Sequence, residues 1–188
     1  MNRVKLVGFL TQLLKFDTHT TGIIEVVRQS GVIDEIPFEV NYADPPVAIG
    51  GGQVLIQGRV STRNYTDDNG RGHKHIFVTA DLIQHTIELE DNAVIMAGTL
   101  VKKDVIRTTP KGKVIMDAVI AVPDGDGSSY PSVIAWGATA HMLNAMPIGA
   151  KLMVEGRFQS RDYWKRVGET KVLKRAREIS ISKMWRKQ

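Results

Sequence analysis

One string of residues occurs twice in this chain, at an offset of 98 positions. Residues 56–70 read IQGRVSTRNYTDDNG, and residues 154–169 read VEGRFQSRDYWKRVGE. Aligned on their first glycines, both follow the pattern Gly-Arg-apolar-polar-polar-Arg-polar-Tyr. The segments VKLVGFL at 4–10 and VIMAGTL at 94–100 match in the same way. Solenoid repeats have periods of roughly 20–50 residues, so a repeat of this length indicates a duplicated domain.

Each copy contains residue patterns that are typical of β-strands. The runs VLIQGRVSTRNY (54–65) and LMVEGRFQSRDY (152–163) alternate apolar with polar residues and are rich in β-branched side chains. Residues that are typical of turns follow each run, and the segments 75–85 and 172–184 are the predicted return strands. In the second copy, PKGK at 110–113 is a predicted turn between two further strands.

Glycines interrupt the long strands at positions where a plain strand would be weakened. Gly58 and Gly156 stand inside the two repeated runs, and Gly8 and Gly98 stand inside the matching first strands. Glycine within a strand commonly marks a bulge or a sharp bend. We expect a bulge or a sharp bend at all four positions, where one strand bends to serve both sheets of a small barrel.

The second copy also carries the pattern of one short helix. Residues 137–149 read GATAHMLNAMPIG, in which helix-favouring residues are followed by Pro147 and Gly149 as a stop signal. The first copy has NYADPPVAIGGG at 41–52 instead. Its prolines and glycines predict a loop.

About five strongly bent strands in each copy are typical of an OB-type barrel, and an SH3-like or other small β-barrel is the structural alternative. We therefore predict an all-β protein of two tandem OB-fold barrels, the second with one short helix. The predicted first domain spans residues 1–89 and the predicted second domain spans 92–188. The acidic segment Glu88–Asn92 is the expected link between them.

Composition narrows the class of protein. Apolar residues make up 43% of the chain, enough for a packed core. There is no cysteine, which excludes disulfides and thiolate metal sites and suits a reducing cytoplasm. No run of about eighteen apolar residues occurs, so neither a membrane-spanning helix nor a membrane partner is expected.

Positive charge is concentrated in the second copy. The net charge is +5, but residues 1–90 contain 8 basic and 11 acidic side chains, whereas residues 91–188 contain 17 basic and 9 acidic ones. Residues 157–188 alone contain 11 basic and 3 acidic side chains. An anionic partner is therefore expected to meet mainly the second half, although a solvated face rich in Lys and Arg gives the same count.

Three motifs in the second copy resemble those of a known family. The segment 92–122 is similar to the opening hairpin of that family, YPSVIAWG at 130–137 to its central strand, and GAKLMVEGRFQSRDY at 149–163 to its fourth strand. The family is that of the bacterial single-stranded DNA-binding proteins. The first copy resembles it only at NRVKLVGFL (2–10) and GQVLIQGRVSTRNY (52–65).

The resemblance implies a function and a set of stacking residues. Members of the family bind single-stranded DNA, and Tyr130, Trp136 and Tyr163 fall where the family places its stacking aromatics. Members often end in an acidic tail that recruits other proteins, whereas this sequence ends in the basic SISKMWRKQ. Replication or recombination proteins are candidate partners, but recruitment through an acidic tail is not expected.

Aromatic side chains can stack on any base, because every base has a π-face. Tyr130 and Trp136 lie six residues apart and would share one face of a regular strand. A buried core position is the alternative for Trp136, and a ring that caps the hairpin is the alternative for Tyr163. Trp164 points to the face opposite Tyr163, where a core or interface position is expected rather than a DNA contact.

Basic side chains near these aromatics are candidate contacts to phosphate. Arg157 and Arg161 lie four residues apart on one strand face, and Lys111 and Lys113 lie at a turn tip. Solvation alone is the alternative for any single lysine. The remaining basic candidates of the second copy are Lys102, Lys103, Arg107, Lys165 and Arg166.

The first copy repeats the arginines and the tyrosine of the string as Arg59, Arg63 and Tyr65. Its neighbourhood has fewer basic and more acidic residues. We count Arg63 and Tyr65 among the nucleic-acid-binding candidates. The first copy is expected to be either a weaker DNA site or a self-association module.

No other motif indicates chemistry. His73 and His75 would share a strand face, but a third metal ligand is not evident. Asp124 and Asp126 lie in the sequence DGDG, which lacks the twelve-residue pattern of a calcium loop. We predict no metal site, no cofactor and no catalytic activity.

The sequence therefore predicts binding of single-stranded DNA without sequence specificity, by a basic groove and base stacking, in replication, recombination or repair. RNA binding uses the same chemistry and stays open. The main alternative is an OB-fold protein–protein scaffold of a replication-restart or conjugation assembly that binds nucleic acid weakly. Because the resembled family works with four OB barrels, we expect a homodimer. The expected location is the bacterial cytoplasm, at the nucleoid, with a phage or a mobile element as the alternative origin.

Overall fold

The computed structural model describes residues 1–68 and 70–187, with the backbone only for Lys165 and Val167. Within these residues the first copy forms β1 (Asn2–Lys15), β2 (Thr20–Val27), β3 (Ile33–Val40), β4 (Gln53–Thr66) and β5 (Gly72–His85). The second copy forms β6 (Asp91–Lys103), β7 (Arg107–Thr108), β8 (Val114–Asp124), β9 (Gly127–Ser129), β10 (Ser132–Trp136), α1 (Ala138–Ala145), β11 (Lys151–Val167) and β12 (Thr170–Arg186). None of the helices in this part of the chain has the length and apolar character needed to cross a membrane.

The strands of each copy close into a ring of five. In the first copy the order around the ring is β1–β2–β3–β5–β4 and back to β1. In the second copy it is β6–β8–β10–β12–β11 and back to β6. The pairs β3–β5 and β10–β12 are parallel, and the other neighbours in the rings are antiparallel. This arrangement is the five-stranded barrel of the OB fold, so the predicted fold class is confirmed.

The predicted hairpins are present. The two repeated runs lie in β4 and β11, and the predicted return strands are β5 and β12. The turn at 110–113 is also present, with Gly112 at a φ of 75°, although β7 before it has only two residues. These long hairpins extend beyond the barrels as two arms, which matter for the site described below.

Two of the four strand glycines lie at bulges. The register of β4 with β5 shifts at Gly58, and that of β11 with β12 shifts at Gly156, as predicted. A Cβ on Gly58 would overlap with the carbonyl oxygen of Thr79, and a Cβ on Gly156 would overlap with that of Ser180. Backbone approaches so closely here that only glycine fits.

Of the bulge or sharp bend predicted at Gly8 and Gly98, the structure places no bulge at either glycine. Both glycines lie in regular pairings, and the bulges of β1 and β6 come after Leu10 and after Leu100. Glycine is required for a different reason, because a carbonyl oxygen of the neighbouring strand occupies the place of a Cβ at both positions. The four glycines therefore mark crossings of backbone, and two of them also mark bulges.

The helix and the loop that distinguish the copies are as predicted. Helix α1 packs on β8, β10 and β12 and buries Ala140 and Leu143. Gly137 precedes it with a φ of 53°. In the first copy residues 41–52 form a loop, and Val47 of this loop is buried in the core.

Strands β1 and β6 join the two barrels. They pair antiparallel, with Val4 opposite Val94. Because these two positions correspond in the repeat, the pairing is the same from either copy, which indicates approximate twofold symmetry. The side-chain amide of Asn2 forms hydrogen bonds with both the backbone N–H and the C=O of Val60 in β4. Asn92 forms the same pair of hydrogen bonds with Phe158 in β11.

A second contact ties the arm of each copy to the other copy. The Ser160 N–H donates to Asp34 Oδ1 at 2.7 Å, and the Thr62 N–H donates to Ser129 Oγ at 2.8 Å. Asp34 is fully buried and receives two further hydrogen bonds from Arg28. The two barrels are therefore packed on each other through both backbone pairing and buried polar contacts. Residues 86–90 link β5 to β6, and the domain bounds 1–89 and 92–188 stay a prediction.

Candidate functional site

Trp136 lies at the end of β10, at a cavity of about 740 Å³. It is 36% exposed, so the alternative that it is a core residue is wrong. Lys113, Arg157 and Arg161 line the same cavity. The structure thus brings three of the predicted basic residues together with one predicted stacking residue. We call this site the Trp136 cavity.

The first copy supplies one wall of the Trp136 cavity. Arg28, Val32 and Ile33 line it from the turn between β2 and β3. The Nε and Nη2 atoms of Arg28 donate to Asp34 at 2.7 and 2.6 Å, and these bonds raise the pKa of Arg28 although burial opposes the rise. Arg28 was missed in the sequence because its only visible signal was a position in a turn, and its approach to the second copy depends on how the barrels pack.

Arg157 brings an unsatisfied donor to the Trp136 cavity. Its Nη2 donates to Gln159 Oε1 at 3.3 Å, but among the described residues its buried Nε finds no acceptor. Burial and the charge of Arg28 lower the pKa of Arg157, and Asp34 opposes this shift. The guanidinium of Arg157 is partly buried, lines the cavity and forms no ion pair with a carboxylate among the described residues, so it is a candidate contact for a phosphate oxygen.

Arg161 connects the Trp136 cavity with the predicted stacking residue Tyr163. Its Nε donates to Glu178 Oε1 at 3.1 Å, and its guanidinium lies 5.8 Å from the centre of the Tyr163 ring. Glu178 is buried and also accepts a hydrogen bond from Gln159 at 2.8 Å. Tyr163 remains 37% exposed. The ring is therefore partly exposed with a positioned guanidinium over it, so a base can reach it to stack.

The first arginine of the string is neutralised in the first copy. Arg59, the counterpart of Arg157, donates to Asp81 Oδ1 and to Asp124 Oδ1, each at 2.7 Å. Asp124 comes from the second copy. Arg59 is thereby committed to acidic partners inside the protein, whereas Arg157 forms no ion pair with a carboxylate among the described residues. The repeated string follows the same residue pattern in both copies, but the charges around its first arginine differ.

The second arginine of the first copy is also engaged. Arg63 Nη2 lies 3.1 Å from Glu39 Oε2, and the guanidinium lies 5.1 Å from the centre of the Phe77 ring. Its side chain is nevertheless 62% exposed. The structure therefore places Arg63 outside the Trp136 cavity, in a partly compensated position.

A second cavity, of about 650 Å³, lies between the arms of the two copies. Tyr65 and Tyr163, the last residues of the repeated string, both line it. Tyr65 stacks on His73 with 5.2 Å between ring centres. Lys74 donates to the backbone oxygen of Tyr130 at 2.9 Å, which ties the first arm to the second copy. We call this site the inter-arm groove.

The structure does not place Tyr130 and Trp136 together. Tyr130 precedes β10 and is 45% exposed, whereas Trp136 ends that strand. Trp136 lies at its own cavity. Tyr130 instead accepts a hydrogen bond from Lys74, which lines the inter-arm groove together with Ser132. The two side chains do not share the face of one regular strand, contrary to the prediction, because the strand begins only at Ser132.

The remaining basic candidates occupy varied positions. Lys103 donates to the carbonyl oxygens of Asn144 and Met146 and so holds the end of α1. Arg107 forms an ion pair with Asp117. The exposed Arg166 donates from its Nε to the backbone oxygen of Gly168 at 3.2 Å. The other candidates are the exposed Lys102, which lies 3.5 Å from Asp104, the exposed turn residue Lys111, and Lys165, whose side chain lies outside the described part of the chain.

Trp164 is 66% exposed on the second arm, so it is not a core residue, and the alternative expectation of an interface position stays a prediction. The second arm extends past the barrel, so the face of the arm that carries Trp164 has no core to cover. His73 lies 2.8 Å from Asp67, and His75 stacks on Phe77. Among the described residues, no group of three or more His, Cys, Asp or Glu side chains is arranged to hold a metal ion.

Comparisons with known proteins bear on the second copy and on the whole fold. The model of the single-strand binding protein family matches residues 91–185, about half of the chain. A comparison with curated protein sequences found no significant match. The solved structure of the wild-type single-stranded DNA binding protein from Thermus aquaticus is 19% identical, with a TM-score of 0.78, and the match covers 100% of this chain and 93% of that one. A deletion mutant of the same protein is 20% identical, with a TM-score of 0.72 and coverage of 100% and 95%. At this level of identity the structural similarity establishes the shared fold.

Proposed function

Because the chain belongs to the single-strand binding protein family, we propose that it binds single-stranded DNA on the face of the second barrel that carries the Trp136 cavity. The family match covers the second copy, which also holds most of the positive charge. The proposed roles are replication, recombination or repair in a bacterial cytoplasm, for the host or for a phage or mobile element.

One observation carries the proposal. In the Trp136 cavity an exposed indole lies beside Arg157, whose buried Nε finds no acceptor among the described residues. A strand of DNA offers the two groups that this pair lacks, a π-face for the ring and an anionic oxygen for the guanidinium. The duplicated site of the first copy does not offer the same pair, since Arg59 is bound to two carboxylates.

The proposed mechanism has two parts. Lys113, Arg157 and Arg161 attract the phosphate backbone and release its counterions, so affinity falls as salt rises. Trp136 and Tyr163 then stack on bases, each stack contributing about 1–3 kcal/mol. Stacking and phosphate contacts read no base edges, so binding without sequence preference is expected.

The first test is a fluorescence anisotropy titration of labelled oligo-dT, with duplex DNA and with oligo-U RNA as competitors. We expect binding that duplex does not displace and that salt weakens. Trp136→Ala should raise the Kd about 5- to 150-fold, the equivalent of one lost stack, while Trp136→Phe keeps most of the affinity. Since Trp136 is a surface residue, both variants should unfold close to the wild type.

Two outcomes would contradict the proposal. Equal affinity for dT and duplex would make the basic face a general anion surface and would favour the scaffold alternative. Preferential displacement by oligo-U would identify RNA as the ligand. A wild-type Kd for Trp136→Ala would show that the Trp136 cavity is not the binding site.

We also infer that two chains associate, which gives four barrels in the complex. Support comes from the outward face of the sheet that runs through β1, β6, β11 and β12. An apolar row crosses it from Trp185 over Met153 and Ala97 to Met1. Trp185 is 44% exposed and Met1 is 45% exposed. Sedimentation equilibrium should give twice the chain mass, and Trp185→Glu should give the mass of one chain; a single-chain mass for the wild type would contradict the inference.

A further inference from the structure

We propose that the first copy does not form a separate, weaker DNA site but supplies one wall of the DNA path of the second copy, at the inter-arm groove. The inference rests on the proposed function. It assigns Tyr65 and Lys74 of the first copy to the same bound strand that stacks on Tyr163. The ligand is a single strand of DNA long enough to leave the Trp136 cavity and continue between the arms.

The geometry of the groove carries the inference. Tyr65, His73 and Lys74 line one side from the β4–β5 arm, and Tyr163 and Lys174 line the other side from the β11–β12 arm. The groove is therefore walled by both copies, and each wall contributes one exposed tyrosine and at least one lysine. Aromatic rings with interleaved positive charge are the arrangement by which proteins hold single strands.

Tyr65 has a ring that is ready to stack. His73 covers one side of it at 5.2 Å between ring centres, and His73 is itself held by Asp67 at 2.8 Å. The tyrosine is still 52% exposed. A ring supported on one face and open on the other needs little ordering when a base arrives, so more of the stacking free energy appears as affinity.

The basic side chains that line the inter-arm groove outnumber the acidic ones, with Lys74, Lys174, Arg175 and Arg177 against Asp67 and Glu178. Glu178 is bound to Arg161 and Gln159, and Asp67 lies against His73. Lys74 donates one hydrogen bond to the backbone oxygen of Tyr130, and because this oxygen is uncharged it does not neutralise the ammonium group. Burial and the neighbouring charge of Lys102 lower the pKa of Lys74, which is consistent with a site short of negative charge.

The two cavities are neighbours along the second arm. Arg175 lines both of them. Arg161 lines the Trp136 cavity and its guanidinium lies over Tyr163, which lines the inter-arm groove. Arg175 forms ion pairs with Glu35 and Asp162, so it marks the place where the two cavities meet and is not a free cation. A strand that stacks on Trp136 can therefore continue along the second arm to Tyr163 and enter the groove between the two tyrosines.

The two ends of the duplicated string then have different roles in the first copy. Arg59 is committed to Asp81 and Asp124, so its guanidinium does not offer the contact that Arg157 offers in the Trp136 cavity. Tyr65, at the far end of the same string, is still open and faces the second copy. Only the tip of the first arm is then used for DNA, and it is used jointly.

The experiment combines affinity with photocrosslinking on the full chain. Oligo-dT of about 30 nucleotides exceeds the roughly 4–16 nucleotides that one OB barrel covers and so reaches the groove. Tyr65→Ala should raise the Kd about 5- to 150-fold, and Tyr65→Phe should restore it to within about twofold because the ring alone stacks. Tyr42→Ala is the matched control, since Tyr42 is a 39% exposed tyrosine of the first copy that lines neither cavity.

Crosslinking identifies the contact directly. The same oligomer with 5-iododeoxyuridine in place of thymidine should crosslink to Tyr65 as well as to the second copy, as mapped by mass spectrometry. Crosslinks confined to the second copy, together with wild-type affinity for Tyr65→Ala, would overturn the inference and leave the proposed function standing. Failure of the wild-type protein to bind dT at all would instead overturn the proposed function. A loss for Tyr42→Ala equal to that for Tyr65→Ala would also overturn the inference.

Discussion

Replacing Asp34 by Ala should separate the contribution of the contact between copies from that of the barrels themselves. Asp34 is fully buried and accepts three hydrogen bonds, two from Arg28 at 2.6 and 2.7 Å and one from the Ser160 N–H at 2.7 Å. The substitution leaves a guanidinium and a backbone N–H of the other copy without their acceptor. Breaking a buried ion pair by removal of one partner costs about 3–5 kcal/mol. The side chain of Arg28 is 23% exposed and can turn to water, so we expect a smaller loss of about 2–3 kcal/mol.

The loss is measured by urea unfolding and by thermal unfolding. For a chain of this size about 1 kcal/mol corresponds to roughly 2–4 °C in Tm, so Asp34→Ala should lower the Tm by about 4–12 °C. Asp44→Ala is the control, because Asp44 also pairs with a cation, Lys15, but is 84% exposed, and such surface pairs contribute at most about 1 kcal/mol. Equal losses for Asp34→Ala and Asp44→Ala would refute the reasoning that the buried carboxylate holds the copies together. If the loss is large, the affinity for long oligo-dT should fall as well, since the groove between the arms depends on that contact.

Three further perturbations test other parts of the structure. Gly156→Ala places a Cβ against the carbonyl oxygen of Ser180 and should cost at least about 1–3 kcal/mol in urea unfolding, whereas Gly127→Ala, with no contact closer than 3.8 Å, should be nearly neutral. Burial, followed by the charges of neighbouring arginines, lowers the pKa of His75, while Glu39 opposes the shift; the unfolded chain therefore takes up a proton first, and stability should fall as the pH drops below about 6.5. His75→Gln should reduce this acid sensitivity in urea unfolding midpoints measured across that range, and an unchanged pH profile would contradict the assignment. Lys113→Ala should reduce the steepness of the dependence of log Kd on log salt by about 0.7, as measured by anisotropy titrations at several salt concentrations, and an unchanged slope would show that Lys113 does not contact phosphate.

Much of the fold could be predicted from local patterns. The repeat at an offset of 98 predicted two copies of one barrel, and alternation predicted the long hairpins that carry it. The stop signals at Pro147 and Gly149 predicted one helix in the second copy only, and α1 is that helix. These features follow from steric and hydrophobic requirements that act within a few residues, so they are visible in the sequence.

The candidate site was predicted less completely. The residue types were found, and the structure places Trp136 with Lys113, Arg157 and Arg161 at one cavity. That the first copy supplies Arg28 to that cavity was not predicted from the sequence. It also placed Tyr130 with Trp136, although the regular strand begins only after Tyr130.

What the sequence by itself determined is the long hairpin strands, the bulges at Gly58 and Gly156 and the concentration of positive charge in the second copy. What only the tertiary structure decided is which arginine of the repeated string stays open. Arg59 meets Asp124 across 65 positions of sequence, and Ser160 meets Asp34 across 126. Arg157, in the same local pattern as Arg59, finds no acceptor for its Nε among the described residues. Local patterns specify the backbone of a strand, but the charge balance of a side chain depends on which distant segments fold against it, because electrostatic and hydrogen-bond partners are chosen by proximity in space.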